Sequence, residues 1–288
     1  MKTLRLNFPQ WQGCTAQNHH DLVSDVPFVY AQTGYHLGAN LLNWLVPTDL
    51  PTRTVPVSLD TADVAEQNGI FAYQANKNQL LSALDILNQE NPDKIITLGG
   101  DCAVSIAPFT YLARRYGADN VAVIWIDAHP DLGLPYDDYT GFHAMALAQI
   151  LGNGDKDMTE SLPAFAKPQN CLFVGLRYFG EPAEGRRKDW QIPMVSCQSA
   201  NHSSDDVINW LKNSTKTKVL IHLDLDVLDP NELKFAVGTD PNGMTLQAVS
   251  RVINDIAKVA DIVGLTVAEP MPREVLKLKS LLDSLPMF

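Results

Sequence analysis

The sequence predicts an α/β fold, a single three-layer αβα domain over residues 1–288 with a mostly parallel sheet of about eight strands. Three observations carry this. Near-continuous apolar, β-rich runs alternate with helix-like stretches, the pattern of strands buried on both faces. No linker, low-complexity tract or internal repeat divides the chain. Acidic and glycine-rich motifs stand where the apolar runs stop, and open parallel sheets gather ligands beyond the carboxyl ends of their strands.

Residues 4–8 read as the first strand and 35–45 as a helix entered after Thr33-Gly34. A long helical pattern covers 63–90, with a break anticipated at Gly69 and Leu80, Leu81, Leu84 and Leu87 on one stripe. Asn91-Pro92-Asp93 stops it, and 94–98 follow as a strand ending in Gly99-Gly100. A helix over 105–116 takes Pro108 in its first turn, where a missing N–H is tolerated. Then come a strand over 121–127, a helix over 141–151 and a strand over 170–176. A helix over 204–213 has Ser203 or Ser204 as its cap. A strand over 218–226, a helix over 245–260, a last strand over 261–267 and a helical C-terminal stretch over 273–285 complete the chain. Asp229-Pro230 and Asp240-Pro241-Asn242-Gly243 read as turns.

Hydrophobic residues make up 45% of the 288, enough for one large core. The 33 acidic against 22 basic residues give a net charge of −11, which argues against nucleic acid and anionic membrane surfaces as partners. No apolar run approaches the ~20 residues of a membrane helix. The N-terminal nine residues lack a secretory apolar stretch, and Cys14, Cys102, Cys171 and Cys197 are widely spaced, so a cytoplasmic location with reduced thiols is expected. His19-His20 carries no assigned role.

Two runs carry the chemistry: Asp127-Ala128-His129-Pro130-Asp131 and Asp224-Leu225-Asp226, each following a buried strand. Alternate positions on a strand project to one face. Each run therefore aims its polar groups in one direction. Gathering carboxylates in an apolar interior is costly unless a cation compensates. Carboxylate oxygen and imidazole suit Mn²⁺, Fe²⁺, Zn²⁺ or Co²⁺. Two cations sharing carboxylates can lower the pKa of a water between them from about 15.7 toward about 7 and supply hydroxide at neutral pH.

Gly99-Gly100-Asp101, Asp127-Ala128-His129-Pro130-Asp131, the run from Leu223-Asp224 to Asp229-Pro230 and the late Glu269 follow one another as in the arginase and agmatinase superfamily, the ureohydrolases. The chain resembles that family from about Leu98 to Pro270. The resemblance implies an arginase-like fold and a binuclear manganese site. In it, Asp127 and Asp224 would bridge the ions, Asp131 would complete one shell, and His129 and Asp226 the other. It also implies that Glu269 holds a guanidinium or amidine group, that His143 returns a proton to the leaving amine, and that the segment 238–245 edges the site. A small guanidino or amidino substrate and a homo-oligomer, trimer or hexamer, follow from the same likeness.

The chain departs from that pattern in two places. Family members read histidine where Cys102 stands, so Cys102 is a ligand that would favour Zn²⁺ or Fe²⁺, or a passive apolar residue leaving one ion weak or absent, or is compensated nearby. His222 shares the face of Asp224 and Asp226. It is expected to hydrogen-bond a ligand carboxylate, or to reach the metal itself. The loop 132–140 lacks the asparagines with which arginase-type members hold the amino-acid end of arginine, and it looks about one residue short, which weakens the case for L-arginine. Tyr136 and Tyr139 are candidates to line its pocket. The expected activity is metal-dependent hydrolysis of a linear C–N bond in a guanidino or amidino compound by metal-bound hydroxide. A one-metal, deacetylase-like amidohydrolase and a catalytically impaired ureohydrolase-fold binding protein are the alternatives.

Overall fold

A computed structural model describes residues 1–18, 27–234 and 238–287. His19-His20 and Phe288 lie outside the described residues. Eight strands form one sheet: β1 (Thr3–Phe8), β2 (Thr52–Thr54), β3 (Lys94–Gly99), β4 (Val121–Ile126), β5 (Cys171–Val174), β6 (Met194–Val195), β7 (Lys218–Asp224) and β8 (Asp261–Ala268). Their order is β2-β1-β3-β8-β7-β4-β5-β6, and each pairing is parallel.

Six of these strands match the apolar runs of the sequence. The two edge strands, β2 and β6, do not. They have three and two residues, too few for any hydrophobic period to register, and short strands are how sheets blunt their edges.

The central strands are buried on both faces. In β4, Val121, Val123 and Trp125 enter one core cluster, while Ala122, Ile124 and Ile126 enter the other. The helices Tyr73–Glu90, Ile106–Tyr116 and Ala146–Ile150 cover the first face; Gly34–Leu45, Asp205–Ser214, Leu246–Val259 and Val275–Asp283 cover the second. Leu246–Val259 buries Ala248, Val249, Val252, Ile253 and Ile256, a stripe at helical spacing. Thr245 caps it by accepting from the Ala248 N–H at 3.0 Å.

Several expected boundaries are corrected. The helix over 63–90 begins only at Tyr73. Before it, Asn68, Gly69 and Ala72 all have positive φ (54°, 72° and 49°), which no right-handed helix accommodates. Tertiary contacts hold this turn: Asn68 donates to Asp155 at 3.1 Å, and the Phe71 N–H to the Thr140 carbonyl at 2.9 Å. Leu80, Leu84 and Leu87 are buried as expected, whereas Leu81 is 36% exposed. The stretch 141–151 divides into a 3-10 turn, Phe142–Met145, and the short helix Ala146–Ile150. There the Asp131 carbonyl accepts from the N–H groups of both Leu147 and Ala148, tying the strand-end loop to the helix start. Ser203, not Ser204, accepts from the N–H of Asp205, at 3.2 Å.

The topology places β3, β8, β7 and β4 side by side at the sheet centre. Their carboxyl ends carry Cys102, Glu269, Asp224 with Asp226, and Asp127 with His129. Two close backbone approaches set this edge. A side chain at Gly100 would put its Cβ 1.7 Å from the Gln10 carbonyl, and one at Gly38, in the helix Gly34–Leu45, 1.7 Å from that of Pro270. Gly38 thus lets the helix bearing Tyr35 lie against the residue after Glu269. Gly38→Ala is expected to destabilise the fold by about 3 kcal/mol through overpacking, read as a lower urea midpoint at unchanged m-value. An unchanged midpoint would mean that this contact relaxes freely.

Candidate active site

Strand parity builds the floor of the site. Trp125 faces the first core, and Asp127, two residues on, continues that face as the chain leaves β4. Its Oδ2 accepts from the Trp125 Nε1–H at 2.9 Å and its Oδ1 from the His129 N–H at 2.6 Å. In β7, His222 is the cross-strand neighbour of Trp125, and the two rings stack 3.7 Å apart at 9°. Asp224 shares that face; its Oδ1 accepts from the Asp226 N–H at 2.7 Å, capping the turn Leu225–Val227. Asp226 accepts the Ala128 N–H at 3.2 Å, and its Oδ2 lies 2.8 Å from His129 Nδ1.

Cys102 follows β3. Its thiol is 2.8 Å from Asp224 Oδ2 and 3.3 Å from Glu269 Oε1. Asp101 faces elsewhere. It accepts from the N–H groups of Gly13 and Ala103 and from Gln10, and so acts as a cap. Glu269 leaves β8 with φ +60° and donates its own N–H to the Gly100 carbonyl at 2.6 Å. Its Oε2 accepts from the Tyr35 hydroxyl, and its Oε1 lies 2.8 Å from His143 Nδ1. His143 Nε2 pairs with the Tyr139 hydroxyl at 2.8 Å. Asp131, also at positive φ (47°), is buried, and its Oδ2 finds no hydrogen-bond partner among the described residues. Left-handed conformations at bulky non-glycine residues are uncommon and cluster at functional sites.

The electrostatics are lopsided. Burial, then the charge of Asp226, pushes the Asp127 carboxyl up to about 7. Burial and neighbouring acids also raise Asp131 and Asp224, and push the Cys102 thiol far up. Asp226 is drawn down to about 2: burial opposes its charge, but His129 outweighs it. Glu269 is likewise held low against burial by His143 and Tyr35. Burial pushes His222 down to about 3, so its ring is neutral. Among the described residues no lysine or arginine forms an ion pair with Asp127, Asp131, Asp224 or Asp226. Arg177, close by, donates instead to the carbonyls of Asp226 (2.7 Å), Val227 (3.2 Å) and Asp240 (2.8 Å).

This donor set fits divalent cations. Four groups of side chains each bring ligand atoms within 4.8 Å of one another: Cys102, Asp127, His222 and Asp224; Asp127, His129 and Asp226; Asp224, Asp226 and Glu269; and Cys102, His143 and Glu269. Asp127 and Asp224 each belong to two. The buried Oδ2 of Asp131 and Nε2 of His222 have no hydrogen-bond partner among the described residues, and a bound cation would satisfy such atoms. Every anticipated site residue thus lies at one sheet edge, though Asp131 falls outside the four groups.

A cavity of about 660 Å³ opens above this floor, lined by Cys102, Asp224 and Glu269 below and by Asp138, Glu181 and Asp240 near its mouth. Tyr139 lines it; Tyr136 is 78% exposed and does not. Gly238 to Pro241 contribute to the wall, as the sequence led one to expect. Tyr35 carried no sequence signal, being 234 residues from its partner Glu269. Asp240, anticipated only as part of the segment 238–245, has its carboxylate 3.5 Å from His129 Nε2, where it steadies the ring from behind.

A family model described as the Arginase family matches residues 41–275. An arginase of Staphylococcus aureus (strain MRSA252) is 29% identical over 180 residues, 58% of this chain and 58% of that protein. The match therefore spans less than two thirds of that relative's length. Among solved structures, the arginase from Bacillus caldovelox superposes with a TM-score of 0.80 at 18% identity, covering 99% of this chain and 97% of the other. Formimidoylglutamase from Bacillus subtilis superposes with a TM-score of 0.68 at 14% identity, covering 98% and 86%. At such identities the two structures speak for the fold.

Proposed function

Because the chain belongs to the arginase family, we propose that it is a metal-dependent hydrolase of a linear C–N bond in a guanidino or amidino compound, built as one domain around one site. The observation that carries this reading is the meeting of Asp127, His129, Asp224 and Asp226 at adjacent strand ends, with no lysine or arginine among the described residues ion-paired to these carboxylates. Bound divalent cations, Mn²⁺ foremost on the oxygen-rich side of His129 and Asp226, would supply Lewis acidity and a water of lowered pKa.

The chain's own residues would do the rest. Asp127 and Asp224, like Cys102, Asp226 and Glu269, each belong to two ligand groups and would help to hold the cations. Glu269, fixed by Tyr35, turns a carboxylate toward the cavity, where it can take N–H bonds from a planar amidinium. His143 lies against Glu269 through Nδ1, within reach of an amine that leaves the same substrate carbon. Tyr139 holds the opposite ring nitrogen and so sets the tautomer. Tyr139→Phe is expected to lower kcat about tenfold, near 1.4 kcal/mol, with KM little changed. A loss confined to KM would place Tyr139 in binding only.

On the substrate, the absence of asparagine from the loop 132–140 favours a decarboxylated guanidine, a guanidino acid or another amidine over L-arginine. Urea release from arginine, agmatine and guanidinobutyrate after incubation with Mn²⁺ tests the reading. Amide cleavage without turnover of any guanidine or amidine would replace it with a one-metal amidohydrolase.

A further inference from the structure

We propose that Cys102 and His222 act together as metal ligands, completing with Asp127 and Asp224 a sulfur-, nitrogen- and oxygen-donor site at the bottom of the cavity, selective for a zinc-type cation over manganese. The proposal rests on the metallohydrolase reading above and makes the pair of cations unlike: a thiophilic one on this side, an oxygen-preferring one beside His129 and Asp226.

The imidazole of His222 is the decisive group. It is fully buried, and its Nε2 has no hydrogen-bond partner among the described residues. Its Nδ1 meets the Ser105 hydroxyl at 2.8 Å. With Nδ1 donating to Ser105, Nε2 would present a lone pair toward Asp127 Oδ2, 3.8 Å away. In that tautomer two acceptors confront each other in a dry interior, an arrangement that a cation between them would satisfy. At 3.8 Å a direct hydrogen bond is out of reach. A ring nitrogen bonded to an orienting group, with the other aimed into a cluster of anions, is the usual arrangement of a metal-bound histidine. Stacking on Trp125 fixes the plane of the ring.

Cys102 supplies the fourth donor, and local structure ties it to His222. The 3-10 turn Cys102–Ser105 places residues three apart on one face. The same turn therefore carries the thiol and the hydroxyl that orients the imidazole. One thiolate, one imidazole and two carboxylates make a four-donor set of the kind zinc takes. Binding would exchange the thiol proton for the cation, with the proton passing to solvent.

The test is zinc X-ray absorption and metal content of the purified protein, alongside Cys102→Ser and His222→Gln. With one equivalent of zinc added in excess Mn²⁺, the expected shell has one sulfur at about 2.3 Å and nitrogen or oxygen at about 2.0–2.1 Å. Cobalt in its place should show a near-ultraviolet sulfur-to-metal charge-transfer band. Cys102→Ser should abolish band and sulfur shell, and His222→Gln should weaken zinc at least about tenfold. Both should retain the Mn²⁺ held beside His129 and Asp226. Two bound cations with a sulfur-free shell in the unsubstituted protein would overturn this proposal alone, as would unchanged zinc affinity in a folded His222→Gln. A protein that binds no cation would overturn the metallohydrolase reading itself.

Discussion

Asp224→Asn is expected to abolish turnover and to reduce the stabilisation that divalent cations confer. Asp224 belongs to two of the four ligand groups, one with Cys102, Asp127 and His222 and one with Asp226 and Glu269, so a cation in either loses a donor. Loss of several kcal/mol of transition-state stabilisation means a fall in kcat/KM of about a thousandfold or more. The thermal effect has a sign that separates metal binding from simple damage. In the unsubstituted protein, cation at a hundred times its Kd adds about 2.7 kcal/mol per site, on the order of 5–10 °C in Tm for a chain of this size. In chelator, buried carboxyls face one another with nothing between them, and burial already pushes Asp224 up. Asparagine keeps the oxygen that caps the Asp226 N–H and removes one of those carboxyls. The variant should therefore melt as high as the unsubstituted protein in chelator, or higher, and gain less from added metal. A metal-dependent Tm rise undiminished in the variant would show that the cations bind elsewhere.

Glu269→Gln should lower kcat/KM by about a hundredfold to a thousandfold, some 3–4 kcal/mol, while metal content stays the same. The carboxylate is held low against full burial because His143 and Tyr35 both direct positive hydrogen toward it. A neutral amide has the same shape but loses the charge that a planar cation requires, and charge-assisted bonds are about twice as strong as neutral ones. Its NH₂ must also confront either the Tyr35 hydroxyl or His143 Nδ1. The loss should appear in KM and kcat together, since both the substrate and the imidazole are positioned through this group. Loss of bound metal in the variant would instead mean that Glu269 serves chiefly as a ligand.

The strands of the sheet centre were legible because burial on both faces leaves an uninterrupted apolar record, as in Val121-Ala122-Val123-Ile124-Trp125-Ile126. Asp127, His129, Asp131, Asp224 and Asp226 were legible as acidic and imidazole groups standing directly where apolar runs end, although only Asp224 lies on a strand and turns orient the others. The segment 63–72 misled because its residues have helical composition, while contacts to Asp155 and Thr140 hold it in left-handed turns. The edge strands were too short to leave a pattern. Tyr35 and Asp240 act through partners distant in sequence, and no local spacing encodes such contacts.

Alternation and apolar runs, properties of neighbours along the chain, determined by themselves the parallel sheet, the residues that end its strands and the divalent-cation chemistry those residues suit. Only the tertiary structure decided that β3, β8, β7 and β4 lie side by side, that Tyr35 and His143 grip Glu269, and that His222 Nε2 faces Asp127 near the Cys102 thiol. The physical reason is range: side-chain direction follows from two or three residues of backbone, whereas a donor set depends on strand order and on helix docking summed over the whole core.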